Sequence, residues 1–158
     1  VIDLNVTGST ELFHLTIQKM RKRGSGRILI TGSVAGQIPG SYQAVYNATK
    51  AYLDTLSWAL RNEANDTDIT ITCLMPGPTD TEFFDRAAMP TGGLPYMLGP
   101  DKVARMALAA MGRRTVLVTD PVRRIMLAPG LARRRLVRAV AGAVMRRMAR
   151  RAGYTKER

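Results

Sequence analysis

The chain has 158 residues, 46% of them hydrophobic and 23% charged, and a formal net charge of +12. That composition fits one globular domain with enough volume for a core. A single cysteine, Cys73, excludes an internal disulfide, and no stretch approaches the roughly 18 consecutive apolar residues of a membrane-spanning helix.

The charge is unevenly placed. Residues 1–112 hold ten Lys/Arg and ten Asp/Glu, whereas residues 113–158 hold fourteen Lys/Arg against Asp120 and Glu157. A neutral body therefore carries a cationic appendix.

Residues 1–23 read as an amphipathic helix, with Leu4, Leu12, Leu15 and Met20 among its apolar positions. Lys19, Arg21, Lys22 and Arg23 sit near its C-terminus, where the helix dipole favours cations. Gly24 and Gly26 follow as a helix stop and turn. Residues 27–31 form a short apolar run of the kind found in buried parallel strands. Residues 34–43, with Gly36, Pro39 and Gly40, read as a loop. Residues 45–65 read as a long helix that packs through Leu53, Leu56, Trp58 and Leu60.

Residues 69–75 begin by alternating Ile and Thr and form a second strand, which makes Cys73 a buried thiol. Residues 80–88 suit a short helix, and Asp80, Glu82 and Asp85 match the preference for acids near a helix N-terminus. The Gly- and Pro-rich residues 90–100 read as a mobile segment over a substrate site. Residues 101–111 form a helix with Asp101 in its first turn, and residues 115–119 a last, β-branched strand. Strands alternating with helices argue for a parallel α/β sheet.

The tail begins at Pro121. Pro129 and Gly130 break it, and a helical pattern resumes to about Arg151. Val137, Val140, Ala141, Val144 and Met148 fall on one face, and Arg135, Arg138, Arg146, Arg147 and Arg150 occupy the rest of the circumference. That pattern suits a helix lying on an anionic membrane surface. A solvated basic end is the competing reading. Nucleic-acid binding is disfavoured, because Tyr154 is the tail's one aromatic residue.

Ser33, Tyr46 and Lys50 carry the chemistry. Tyr46 and Lys50 are four residues apart, so on a helix they project from one face. An ammonium held beside a phenol favours the phenolate. Ser33 ends an apolar run and reaches the same point from the sheet. A hydroxyl, an activated phenol and an ammonium suit the movement of a proton on or off a carbonyl oxygen. Tyr42 and Tyr52 lack a lysine at that spacing and read as pocket-lining or packing residues. His14 is the sole histidine and has no ligand set beside it, which argues against a metal site.

With Tyr46-Asn47-Ala48-Thr49-Lys50, and Ser33 thirteen residues before the tyrosine, the chain resembles the short-chain dehydrogenase/reductase family. Asn5 in Asp3-Leu4-Asn5, the run Gly32-Ser33-Val34-Ala35-Gly36 and the run Pro76-Gly77-Pro78-Thr79-Asp80-Thr81 strengthen the resemblance. It spans roughly residues 1–112. The fold it implies is α/β: the C-terminal half of a Rossmann-type doubly wound parallel sheet in residues 1–120, with a basic helical tail in residues 121–158.

The resemblance also implies an NAD(P)-dependent oxidoreductase, using NAD or NADP, that transfers a hydride between nicotinamide and a carbonyl or alcohol. Catalytic roles go to Asn5, Ser33, Tyr46 and Lys50, and cofactor contacts to Tyr46, Lys50, Pro76, Gly77, Thr79 and Thr81. Asn5 would act through its backbone carbonyl and a water joined to Lys50. The family's Thr-Gly-x-x-x-Gly-x-Gly turn occurs nowhere in the 158 residues, so the sequence reads as a C-terminal fragment, inactive alone. The alternative is a non-catalytic interaction module. Expected partners are a small carbonyl or alcohol substrate, lipid-like where the tail meets an anionic membrane surface, and a second copy of the chain through the two long helices. The expected location is cytoplasmic, peripheral at the membrane where the tail engages one.

Overall fold

Apolar and β-branched residues build a three-stranded sheet, β1 (Ser25–Thr31), β2 (Asp68–Met75) and β3 (Val116–Val118), in the order β1-β2-β3. All pairs are parallel, with Ile28 opposite Ile71, Ile30 opposite Cys73, and Cys73 opposite Val116. The computed structural model describes residues 1–87, 89, 96–113 and 116–151. The central strand is covered on both faces: Ile71, Thr72, Cys73 and Met75 have no exposed surface. That burial explains its near-continuous apolar sequence.

Helices lie on both sides. On one face, α1 (Ser9–Arg23) and α2 (Ala44–Glu63) bring Phe13, Ile17 and Leu53 onto Ile28, Ile30, Ile69 and Ile71. Leu56 and Leu60 of α2 pack against the same cluster, as their spacing predicts. After the short α3 (Phe83–Arg86), α4 (Pro100–Ala110) covers the other face with Val103, Ala107 and Ala110 against Leu74 and Leu117. Helices on two faces of a parallel sheet make this the expected part of a doubly wound fold.

Four expectations need correction. Residues 1–23 are not one α-helix, because Asp3–Gly8 forms a π-helical turn ahead of α1. The Ser9 hydroxyl takes the Leu4 carbonyl at 3.2 Å and the Thr10 hydroxyl takes that of Val6 at 2.6 Å, in competition with the α-helical ladder. The inner face of α1 is Phe13, Ile17 and Met20, spaced i, i+4 and i+7, whereas Leu4, Leu12 and Leu15 are exposed. The expected loop 34–43 opens with a 3-10 turn, Val34–Gln37.

The fourth correction concerns the tail. The last helix, α5 (Pro121–Arg151), runs through Pro129 and Gly130 without the expected break. A proline there loses one ladder bond, to the carbonyl four residues earlier. That carbonyl belongs to Ile125, which is exposed, so water can take up the lost bond. The helix end assigned at Ala88, residues 90–95 of the expected mobile segment, Thr115 of the last strand and residues 152–158 of the tail lie outside the described residues.

Candidate active site

The site is assembled where β1 and β2 end. Gly32 follows β1, and a Cβ there would stand 3.0 Å from Cys73 Sγ and 3.1 Å from the Leu74 carbonyl oxygen. Glycine lets the backbone pass this close to the neighbouring strand without displacing it. Ser33, buried, then caps the 3-10 turn, its Oγ accepting the Ala35 N–H at 3.1 Å. The turn lands on α2. A Cβ on Gly36 would meet the Lys50 carbonyl carbon and the Ala51 nitrogen, each at 2.7 Å. Gln37 adds a tie by donating from Nε2 to Asp54 Oδ2 at 3.0 Å.

Tyr46 and Lys50 occupy one half-buried face of α2. Lys50 Nζ lies 5.7 Å from the centroid of the Tyr46 ring and donates to the Thr31 carbonyl at 3.1 Å. Burial lowers the Lys50 pKa below the ordinary lysine value, and the neighbouring Cys73 acts in the opposite sense. The Cys73 thiol is pushed up to about 12, first by burial and then by the Asp54 charge, against the pull of Ser57, Gly32 and Lys50. It is therefore an inert, protonated core group, as its place in the strand predicts.

Asn5 reaches the same helix from the π-helical turn. Its Nδ2 donates to Thr49 Oγ1 at 3.0 Å, and Thr49 Oγ1 donates to the Tyr46 carbonyl at 2.8 Å. Asn5 is thus tied to the tyrosine's helix by its side chain through Thr49, a residue the sequence reading passed over. Its one signal was a hydroxyl within the Tyr-x-x-x-Lys stretch.

Pro76, Gly77, Thr79 and Thr81 follow β2 on the same edge of the sheet. Gly77 donates its N–H to Thr119 Oγ1 at 3.4 Å, and a Cβ on it would stand 2.7 Å from Asp120 Cβ. Thr79 Oγ1 donates to the Gly77 carbonyl at 3.0 Å. Thr79 also pairs with Leu98 in an isolated parallel bridge, with Leu98 N–H donating to the Pro78 carbonyl at 3.1 Å. The end of the segment expected to be mobile is therefore hydrogen-bonded to this loop, and Leu98 is buried. Thr81 Oγ1 accepts the N–H of Phe83, the first residue of α3, at 3.3 Å.

Phe83 closes the arrangement. Its ring centroid lies 5.7 Å from that of Tyr46, at an interplanar angle of 42°, so the loop after β2 touches the Tyr46 helix directly. No spacing rule points to Phe83. Tyr42 departs from expectation: it is fully exposed at a φ of 63°, so it neither packs nor lines the site. Tyr52 packs on the core cluster and its hydroxyl bonds Thr10 Oγ1 at 2.6 Å.

A surface groove of about 670 Å³ lies nearby, lined by Gly36, Ile38, Pro39, Gly40, Ala44 and Ala48 among others. It contains none of Ser33, Tyr46 and Lys50 and no titratable side chain. The candidate acid–base residues therefore lie at the strand ends and not in this groove. In open α/β sheets, ligands bind beyond the C-terminal ends of the strands. That edge here offers a lysine ammonium, the hydroxyls of Ser33, Tyr46, Thr79 and Thr81, and a glycine whose backbone carries no side chain. These donors fit the ribose and amide groups of a nicotinamide nucleotide.

A family model described as short chain dehydrogenase matches residues 1–90. The chain belongs to the short-chain dehydrogenase family. Sulfoacetaldehyde reductase from Chromohalobacter salexigens is 37% identical to this short-chain dehydrogenase chain over 84 residues, which are 52% of this chain and 33% of the reductase. Ketoacyl reductase HetN from a Nostoc species is 30% identical over 140 residues, covering 82% of this chain and 48% of HetN. The structure of a short-chain dehydrogenase from Sphingobium yanoikuyae, in complex with NADPH, matches with a TM-score of 0.75 at 30% identity. That match covers 86% of this chain and 54% of the Sphingobium protein. The chain spans from a third to about half of the length of these curated relatives.

Proposed function

We propose that the chain carries the proton-handling part of an NAD(P)-dependent oxidoreductase acting on a carbonyl or alcohol carbon. One observation carries the reading: the Ser33 turn is pressed onto the backbone of α2 at Lys50, whose ammonium stands 5.7 Å from the Tyr46 ring. This supports a reading in which a hydroxyl from the turn after β1 and a phenol and an ammonium from α2 act together at the ligand-binding edge of a parallel sheet.

In the reducing direction Tyr46 donates its hydroxyl proton to the substrate oxygen as general acid, and in oxidation it takes the proton back. Ser33 Oγ donates a hydrogen bond to the same oxygen and stabilises its developing charge. The Lys50 ammonium stabilises the negative charge left on Tyr46. Asn5 steadies the Tyr46 turn through Thr49, and its backbone carbonyl provides a place for a water that passes the proton on from Lys50. The nicotinamide group, when bound, supplies or accepts the hydride. Tyr46, Lys50, Pro76, Gly77, Thr79 and Thr81 hold the nicotinamide end. NAD or NADP serves; the Sphingobium relative binds NADPH.

A second copy of the chain is the expected partner through α1 and α2, where Leu12, Leu15 and Val45 leave apolar surface exposed. A non-catalytic interaction module is the second reading of these 158 residues. Titration of NADPH and NADH into the chain, followed by nucleotide fluorescence, separates the two. Saturable binding that weakens in Lys50→Met supports the oxidoreductase, and no binding at either nucleotide favours the module.

A further inference from the structure

Among the described residues, helix α5 is docked on the fold by one side. Near its start Leu127 packs with Trp58 against the cluster of Val34, Cys73, Met75, Val116 and Val118. Further along, Gly142 is half-buried, and a Cβ on it would stand 2.6 Å from Asn62 Nδ2 of α2. At about 100° per residue, Val140 and Val144 lie roughly 160° and 200° around the helix from Gly142. They face away from the body. Val137, Val140, Val144 and Met148 are between 51% and 59% exposed, so nothing covers this apolar stripe among the described residues.

We propose that this outward face of α5 lies on an anionic membrane surface, with the stripe in the boundary between headgroups and acyl chains. Charge decides among the occupants. The region from residue 113 onward holds fourteen of the 24 Lys/Arg and two of the 12 Asp/Glu. A second copy packed stripe to stripe would bring another cationic tail of charge +12 against it. A nucleic acid would match the charge but leave the stripe in water, and the tail offers one aromatic residue for stacking, Tyr154. An anionic bilayer satisfies both features. Arg133 and Arg147 are exposed, at roughly 180° and 140° from Gly142, so charge and stripe share the outward side. Among the described residues no helix is long and apolar enough to cross a membrane, so α5 lies on the surface and does not span it.

The test is co-sedimentation of the 158-residue chain with vesicles of phosphatidylcholine and phosphatidylserine in equal parts, and with phosphatidylcholine alone. It needs no cofactor, so its failure is separate from failure of the oxidoreductase reading. The chain binds the mixed vesicles, and both the double variant Val140→Asp/Val144→Asp and the charge-neutral Val140→Ser/Val144→Ser bind about tenfold or more weakly. Both positions are exposed, and circular dichroism checks that the fold is kept. Equal binding to both vesicle types, no binding, or undiminished binding of the serine variant would overturn the proposal. So would a DNA duplex that displaces the vesicles from the chain.

Discussion

Gly36 and Lys50 touch backbone to backbone: a Cβ on the glycine would stand 2.7 Å from the lysine's carbonyl carbon. This contact sets the Ser33 turn against the helix that carries Tyr46 and Lys50. Gly36→Ala forces the two apart, at a cost of about 1–3 kcal/mol typical of overpacking. Urea unfolding of the 158-residue chain measures it, and an unchanged midpoint would mean that the turn is not seated on α2.

Thr49 links Asn5 to the Tyr46 carbonyl. Thr49→Val keeps the shape but removes both hydrogen bonds and leaves Asn5 Nδ2 without that acceptor. The expected loss is about 1–3 kcal/mol, read by the same unfolding midpoint. Asn5→Ala then adds little in the Thr49→Val background, because the bond between them is already gone. Full additivity of the two substitutions would contradict the link.

Cys73, with its thiol held up to about 12 and no exposed surface, should resist thiol reagents in the folded chain and react fully in denaturant. Mass spectrometry after iodoacetamide treatment reads this. Rapid labelling of the folded chain would displace Cys73 from the centre of the sheet.

Lys50 and Cys73 make opposite contributions to alkaline stability. Burial lowers Lys50 from 10.5, so between its folded value and 10.5 the unfolded chain binds more protons and stability rises with pH. Cys73 is raised from 9.0 to about 12. The folded state therefore keeps that proton longer, and stability falls as pH rises from 9.0. Comparing the wild type with Lys50→Met removes the lysine's contribution and, with it, the lysine's downward pull on Cys73. The variant lacks the rising contribution, so its unfolding midpoint declines more steeply as pH approaches 10.5, and equal slopes would refute the burial of the ammonium.

The sheet and α2 were legible in the sequence because Ile-rich strands and the Leu53, Leu56, Leu60 spacing leave few other solutions. Ser33, Tyr46 and Lys50 were legible because their spacing is local. Phe83 and Thr49 were not, since each acts through a contact fixed only by tertiary packing. The π-helical turn at Asn5 escaped notice because periodicity separates α from β but not α from π, and the side-chain bonds of Ser9 and Thr10 tip the balance. At Pro129 a local helix-breaker was overridden on an exposed helix, where water can compensate the lost bond.

Proton transfer at the substrate oxygen is assigned to Tyr46. It is tested most directly by carbonyl-dependent oxidation of NADPH or NADH in the longest natural polypeptide that carries residues 1–158, comparing the wild type with Tyr46→Phe. Turnover is predicted to fall about 100-fold or more, with the unfolding midpoint unchanged. Turnover near the wild-type level in Tyr46→Phe would contradict the account.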